Sequence, residues 1–381
     1  MKMFTSRLSN LAAFSILLAC PAFAAWDNLT LSDYKLKEGG YSSVIAALDE
    51  ALPNVKVADI LADLNHDNPG TTPNVKHLVS SSGYSWESSS DFDDRGTEKW
   101  YPQGITTSAD AYDKGEYEGN RVQLISWHSD NYDDGKRGAR VTFVKQSSSR
   151  NKKYRHVLLV RPKGTDDFEA IKGLHAGGIM WYGNLVYVVD TTGGLRVFDL
   201  NHIYKVDGSI KDSDGKQSNG KYGAWGYGYV LPQVRSYNWQ SKSGVTDLRF
   251  SFISLDRTTT PDSILVGEYH ATRTDCRFIR WDIDYTDRLL KTSGGIATAS
   301  QAVSHGNTKI QGAATINGKF FLTQSGGDLI SWSWNGGKKT TADTFPSVPE
   351  DLSYEKGVGL WTLMEAPGSN RQVFAIDPSN F

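Results

Sequence analysis

The chain has 381 residues, with 41 Lys+Arg against 43 Asp+Glu and a formal net charge of −2, which excludes bulk electrostatic attraction as a basis for binding nucleic acid or an anionic membrane. Thirty-seven glycines, 11 tryptophans and 18 tyrosines against 4 methionines suit many short strands and tight turns rather than a helical chain. Of the two cysteines, Cys20 falls in an export signal and Cys276 reads as a small buried core residue, so the processed chain is expected to form no intrachain disulfide.

Residues 1–24 read as a signal peptide: Lys2 and Arg7 precede an apolar run over 11–18, and Ala22-Phe23-Ala24 fits a cleavage site before Ala25. This predicts a secreted or periplasmic protein. Leu17-Leu18-Ala19-Cys20 also resembles a lipobox, the weaker reading. No later stretch is long and apolar enough to span a bilayer as a helix.

Residues 25–96 read as a helical and loop leader lying on the main domain. Val44, Ile45, Leu48 and Leu52 have helical spacing and Pro53 ends that run; 57–64 repeats the pattern, and 80–95 is polar and rich in Gly, Ser and Asp.

From residue 97 the pattern changes to short strands and hairpin turns. Gly178 to Tyr182 ends at Gly183-Asn184, Leu185 to Val189 ends at Asp190-Thr191-Thr192-Gly193-Gly194, and 195–200 follows. The grammar recurs. Pro102-Gln103-Gly104-Ile105, His175-Ala176-Gly177-Gly178-Ile179, Pro232-Gln233-Val234, Ile310-Gln311-Gly312-Ala313 and Pro349-Glu350-Asp351-Leu352 each open a strand with a polar residue. Second strands follow at 122–128, 185–190, 249–256, 320–324 and 360–365. Such repetition predicts an all-β chain with a single β-propeller over 97–381, five blades being favoured and up to seven allowed. The last blade lacks a fourth strand, which 75–79 is expected to supply. The segment 205–221 reads as a long loop able to fold over a channel mouth.

In a propeller the start of the first strand and the end of the second lie on one face. Two polar rings are therefore expected at one mouth: Gln103, His175, Gln233, Gln311 and Glu350 inside, and His128, Asp190, Asp256, Gln324 and Glu365 around them. Asp190 before a turn and Asp256 before Arg257 also have plain structural readings, as a turn cap and an ion pair. His156, in an apolar run, reads as packed, and Trp332 and Trp334 as core. Asp130, Asp133 and Asp134 near Gly135 lack the glutamate of a calcium loop and read as solvated.

Such a mouth can hydrogen-bond a polyhydroxylated ligand and present an acid and a base together. Glycoside hydrolysis needs two facing carboxyl groups, for which Asp190, Asp256, Glu350 and Glu365 are the pool. The bland alternative is a ring of glutamines holding channel water.

Gln103-Gly104-Ile105-Thr106-Thr107-Ser108-Ala109-Asp110, His175-Ala176-Gly177-Gly178-Ile179, Leu195-Arg196-Val197-Phe198-Asp199, Phe252-Ile253-Ser254-Leu255-Asp256 and Pro349-Glu350-Asp351-Leu352-Ser353-Tyr354 together resemble a group of exported actinomycete and fungal β-propeller proteins, over about residues 100–377. That resemblance implies export and architecture rather than a reaction. The His-Ala-Gly-Gly and Arg-Val-Phe-Asp stretches alone are similar to propeller polysaccharide lyases. Those abstract the proton beside a uronate carboxylate with His or Tyr and neutralise the carboxylate with Arg or His, which implies roles for His175, Tyr222 and Arg235.

The expected function is that of an exported carbohydrate-active propeller that binds a polysaccharide or oligosaccharide at the channel mouth and cleaves it by a lyase or hydrolase route. His175, Glu350, Asp190, Asp256, Tyr222 and Arg235 are the catalytic candidates, and Gln103, His128, Gln233, Gln311, Gln324 and Glu365 the ligand-binding ones. The alternative is a non-catalytic glycan-binding or protein-interaction propeller. No cofactor is expected, and a channel-bound metal ion is left open.

Overall fold

A computed structural model describes residues 26–129, 137–147, 151–346 and 348–381. The expected signal peptide and the aspartate loop at 130–134 lie outside these residues.

Five sheets stand around one axis. Blade one is Trp100–Thr107, Val122–Ser129, Ala139–Lys145 and Lys152–Lys163, each pairing antiparallel with the next. Blade two is Ile179–Tyr182, Leu185–Asp190, Gly194–Asp199 and Tyr229–Trp239. Blade three is Phe252–Asp256, Ser263–Gly267, Arg277–Asp282 and Gln301–Ser304. Blade four is Ile310–Ile316, Lys319–Gln324, Asp328–Ser333 and Gly337–Thr341. Blade five is Ser353–Glu355, Gly359–Leu363 and Gln372–Ile376, completed by Tyr84–Ser85.

The first strands of successive blades touch in ring order, and the fifth returns to the first. Alternating side chains bury each blade's two faces against its neighbours, producing a separate apolar core at each of the five junctions. At the axis the strands come so close that only small residues fit. A Cβ on Gly104 would lie 2.7 Å from the Cα of Gly178, and one on Gly178 would lie 2.7 Å from the Cα of Phe252.

Two features differ from the sequence reading. The apolar run Tyr229–Trp239 is the outer strand of blade two; its first residues also run parallel to the outer strand of blade one, Val230 opposite Leu158. Phe252–Asp256 is therefore the inner strand of blade three, not its second. The segment before residue 97 holds the expected helices, Val44–Ala51 and Val57–Ala62, but it is also woven into the blades. Asp27–Asn28, Lys35–Glu38 and His66–Asn68 extend the outer edges of blades three, two and one. Closure of blade five rests mainly on Tyr84–Ser85, while the expected segment contributes a single bridge from Leu78 to Ile376. Trp332 is buried against Trp26, whereas Trp334 is largely exposed rather than core.

Candidate functional site

The mouth where inner strands begin gathers side chains from every blade. A bulge between Pro102 and Ile105 sets Gln103 out of the ladder, and its amide donates to Glu365 Oε1 at 2.8 Å. Gln311, at a similar irregularity in blade four, donates to Glu350 Oε1 at 2.9 Å. His128, near the end of the second strand of blade one, lies with its ring centroid 4.3 Å from that of His175. Tyr101 also stacks on His128 at 5.5 Å, and the Arg371 guanidinium sits 5.4 Å from the centre of the Tyr101 ring. Gln324 is in the same tier, donating to the Thr308 carbonyl at 2.7 Å.

Electrostatics divides these groups into complementary roles. Glu350 is buried, and that burial, reinforced by the nearby Glu365 and Asp351 charges, pushes its pKa well above the usual carboxylate range. His175 keeps solvent exposure, yet desolvation of its ring and then the neighbouring His128 and Arg249 push its pKa below the ordinary histidine value. The mouth thus sets an imidazole biased toward its neutral form near a carboxyl biased toward its protonated form, the biases that suit a base and an acid.

Seven expected residues therefore assemble: Gln103, His128, His175, Gln311, Gln324, Glu350 and Glu365. Five others are held by other partners. Gln233 belongs to the outer strand of blade two, where its side-chain oxygen accepts from Arg196. Asp190 closes a second-strand end as expected, but Arg196 holds its carboxylate at 2.6 Å. Asp256 ends an inner strand, which places it toward the opposite mouth; there it pairs with Arg280 at 2.9 Å and with Thr315. Tyr222 packs on Phe168 and donates to the Asp166 carbonyl. Arg235 pairs with Glu38 on the edge of blade two. Gln233 and Asp256 were misplaced by the single misassigned strand; the mouth residue that blade three supplies is Arg249.

A second cluster was not anticipated. A cleft of about 440 Å³ beside blade one is walled by Phe92, Trp100, Trp225 and Tyr227 together with His66, Asp94, Arg140 and His156. In and just after the segment 205–221, Asp214–Lys216 and Tyr222–Ala224 form a hairpin docked on Asp167–Ala170, and the chain after it carries Trp225 to this cleft rather than over the channel. Asp94 accepts from Arg140 at 2.7 Å and from Tyr154 at 2.6 Å, and His156 Nε2 lies 3.0 Å from its Oδ2. Burial opposes ionisation of Asp94, but His156, Arg140 and Tyr154 outweigh it and hold its pKa well below normal. Arg140 lies between Trp100 and Trp127, 4.5 and 4.6 Å from their ring centres. His156 is packed, as the apolar run implied, but packed onto a charge. The sequence signal for this cluster is weak, because its central pair, Asp94 and His156, is 62 positions apart.

No family description and no curated protein matches the chain. Among solved structures it is similar to Sqt1 from Chaetomium thermophilum, at 10% identity and a TM-score of 0.29 over 75% of this chain and 57% of that one. It is similar also to Chaetomium thermophilum Sqt1 bound to the N-terminus of the ribosomal protein L10, at 11% identity and a TM-score of 0.32 over 71% and 59%. The chain spans less than two thirds of either. Likeness at that level bears on neither the site nor its chemistry.

Proposed function

We propose that this is an exported carbohydrate-active propeller that takes an acidic polysaccharide at the channel mouth and cleaves it by β-elimination. The observation that carries the reading is an imidazole kept uncharged beside a cation: His175, flanked by His128 and Arg249. In this scheme Arg249 neutralises the uronate carboxylate, which acidifies the adjacent carbon. His175 removes that proton, the bond to the leaving glycosidic oxygen breaks as a carbon–carbon double bond forms, and the protonated Glu350 returns a proton to the departing oxygen. Gln103 and Gln311 orient sugar hydroxyls. Hydrolysis is less well supported, because Asp190 and Asp256 are each tied to an arginine, Asp256 toward the opposite mouth.

Incubation with a panel of uronate-containing and neutral polysaccharides tests this, read by absorbance of unsaturated uronates and by reducing ends. His175→Ala and Glu350→Gln should each lower turnover by about 10²-fold or more while leaving the fold intact. Arg249→Ala should likewise lower uronate cleavage, and neutral polysaccharides, which lack the carboxylate, should yield no unsaturated product. Retention of glycan with no product in wild-type protein would reduce the mouth to a binding site.

A further inference from the structure

We propose that His66, Asp94 and His156 form a binding site for a divalent transition-metal ion of the zinc class, opening into the cleft beside blade one. The Nε2 atoms of both histidines and a carboxylate oxygen of Asp94 all lie within 4.8 Å of one another. His156 Nε2 is 3.0 Å and His66 Nε2 3.8 Å from the same oxygen, Asp94 Oδ2. Ligands bonded to zinc at about 2.0–2.2 Å stand roughly 3.3 Å apart, so small ring rotations bring the three into place.

Each ligand is already held by its far atom. His66 Nδ1 meets Asn65 Oδ1 at 2.8 Å, His156 Nδ1 meets Thr142 Oγ1 at 2.7 Å, and Arg140 donates to Asp94 Oδ1 at 2.7 Å. Metal-binding histidines ordinarily give their remaining N–H to an oxygen, and ligating carboxylates are themselves hydrogen-bonded. Once a metal displaces any Nε2 proton and both rings carry theirs on Nδ1, two nitrogen lone pairs and Asp94 Oδ2 converge on one point, an arrangement that a cation satisfies. The Tyr154 hydroxyl, 2.6 Å from that oxygen, is a fourth polar group at the same place.

Two histidines and one carboxylate leave coordination positions open, the composition of metal sites that engage a ligand rather than of closed structural ones. The cleft supplies that access, since all three residues stand in its wall. The site shares no residue with the His175 mouth, so either assignment can fail without the other.

Full-length processed protein, stripped with a chelator and titrated with Zn²⁺ alone by calorimetry, should bind one ion per chain. Co²⁺ in its place should give visible absorption of the low-symmetry bound ion. His66→Ala and His156→Ala should each weaken binding by more than about 100-fold. Thr142→Val, which removes only the bond orienting His156, should weaken it about 10- to 100-fold. His128→Ala and His175→Ala should leave affinity unchanged. Near-UV circular dichroism identifies folded variants, and if His156→Ala fails to fold, His66→Ala decides alone. No uptake by folded wild-type protein at about 1 mM Zn²⁺, undiminished binding in folded His66→Ala, or loss of binding in His128→Ala would overturn the assignment.

Discussion

His305 is almost fully buried, its ring stacked on Phe278 at 4.1 Å, and its Nε2 has no hydrogen-bond partner. Burial pushes its pKa down to about 3. Because that lies below the ordinary value near 6.5, the unfolded chain binds a proton that the folded chain refuses between those limits. The histidine's contribution is complete above about pH 6.5 and is lost as pH falls toward 3, amounting to roughly 2 kcal/mol at pH 5. His305→Gln, polar but not titrating, should lose about 2 kcal/mol less than wild type between pH 7 and pH 5. Denaturant melts at both pH values check this, and equal losses would rule it out. Residue-scale features were legible where they repeat: glutamines beside axial glycines announced the mouth. Asp94 was not, since nothing in its polar loop signals that His156, far along the chain, folds onto it.

Among the elements, Tyr229–Trp239 explains why one blade was misread. Its first half is apolar and carries Pro232-Gln233, features shared with the openings of the inner strands. Its true place on the outside follows from the parallel pairing with Lys152–Lys163 and the cover of Lys35–Glu38, contacts between residues distant in sequence that no local pattern encodes. The N-terminal strands matter for the same reason. Tyr84 pairs opposite Val373 and packs in the core between blades five and one, so without it the edge Gln372–Ile376 is bare and that core is open. A chain beginning at residue 97 should aggregate or remain expanded, whereas one beginning at 26 should fold. Size-exclusion chromatography distinguishes them; a monomeric, cooperatively melting 97–381 fragment would show that closure does not need this strand.

At the scale of the whole ring, Asp351 fastens three places at the axis. It lies at the start of blade five and is fully buried. One carboxylate oxygen accepts from the Ile179 amide of blade two at 3.4 Å and the other from the Leu352 amide at 3.0 Å, with the Ile105 amide of blade one a further donor. Burial outweighs these donors and raises its pKa well above the usual range. The linkage sign is then opposite to that of His305: stability is fullest below the unfolded-state value near 3.8 and declines as pH rises through the higher folded value. Asp351→Ala should orphan the amides and lower stability by about 2–5 kcal/mol at every pH. Asp351→Asn keeps an acceptor and cannot ionise, so it should cost less and remove this residue's share of the decline at high pH. Denaturant titrations of the three proteins across pH 4 to 9 provide the check. If Asp351→Ala were as stable as wild type, the ring would be held by its inter-blade cores alone, and the carboxyl at the axis would have no part in keeping blades one, two and five together.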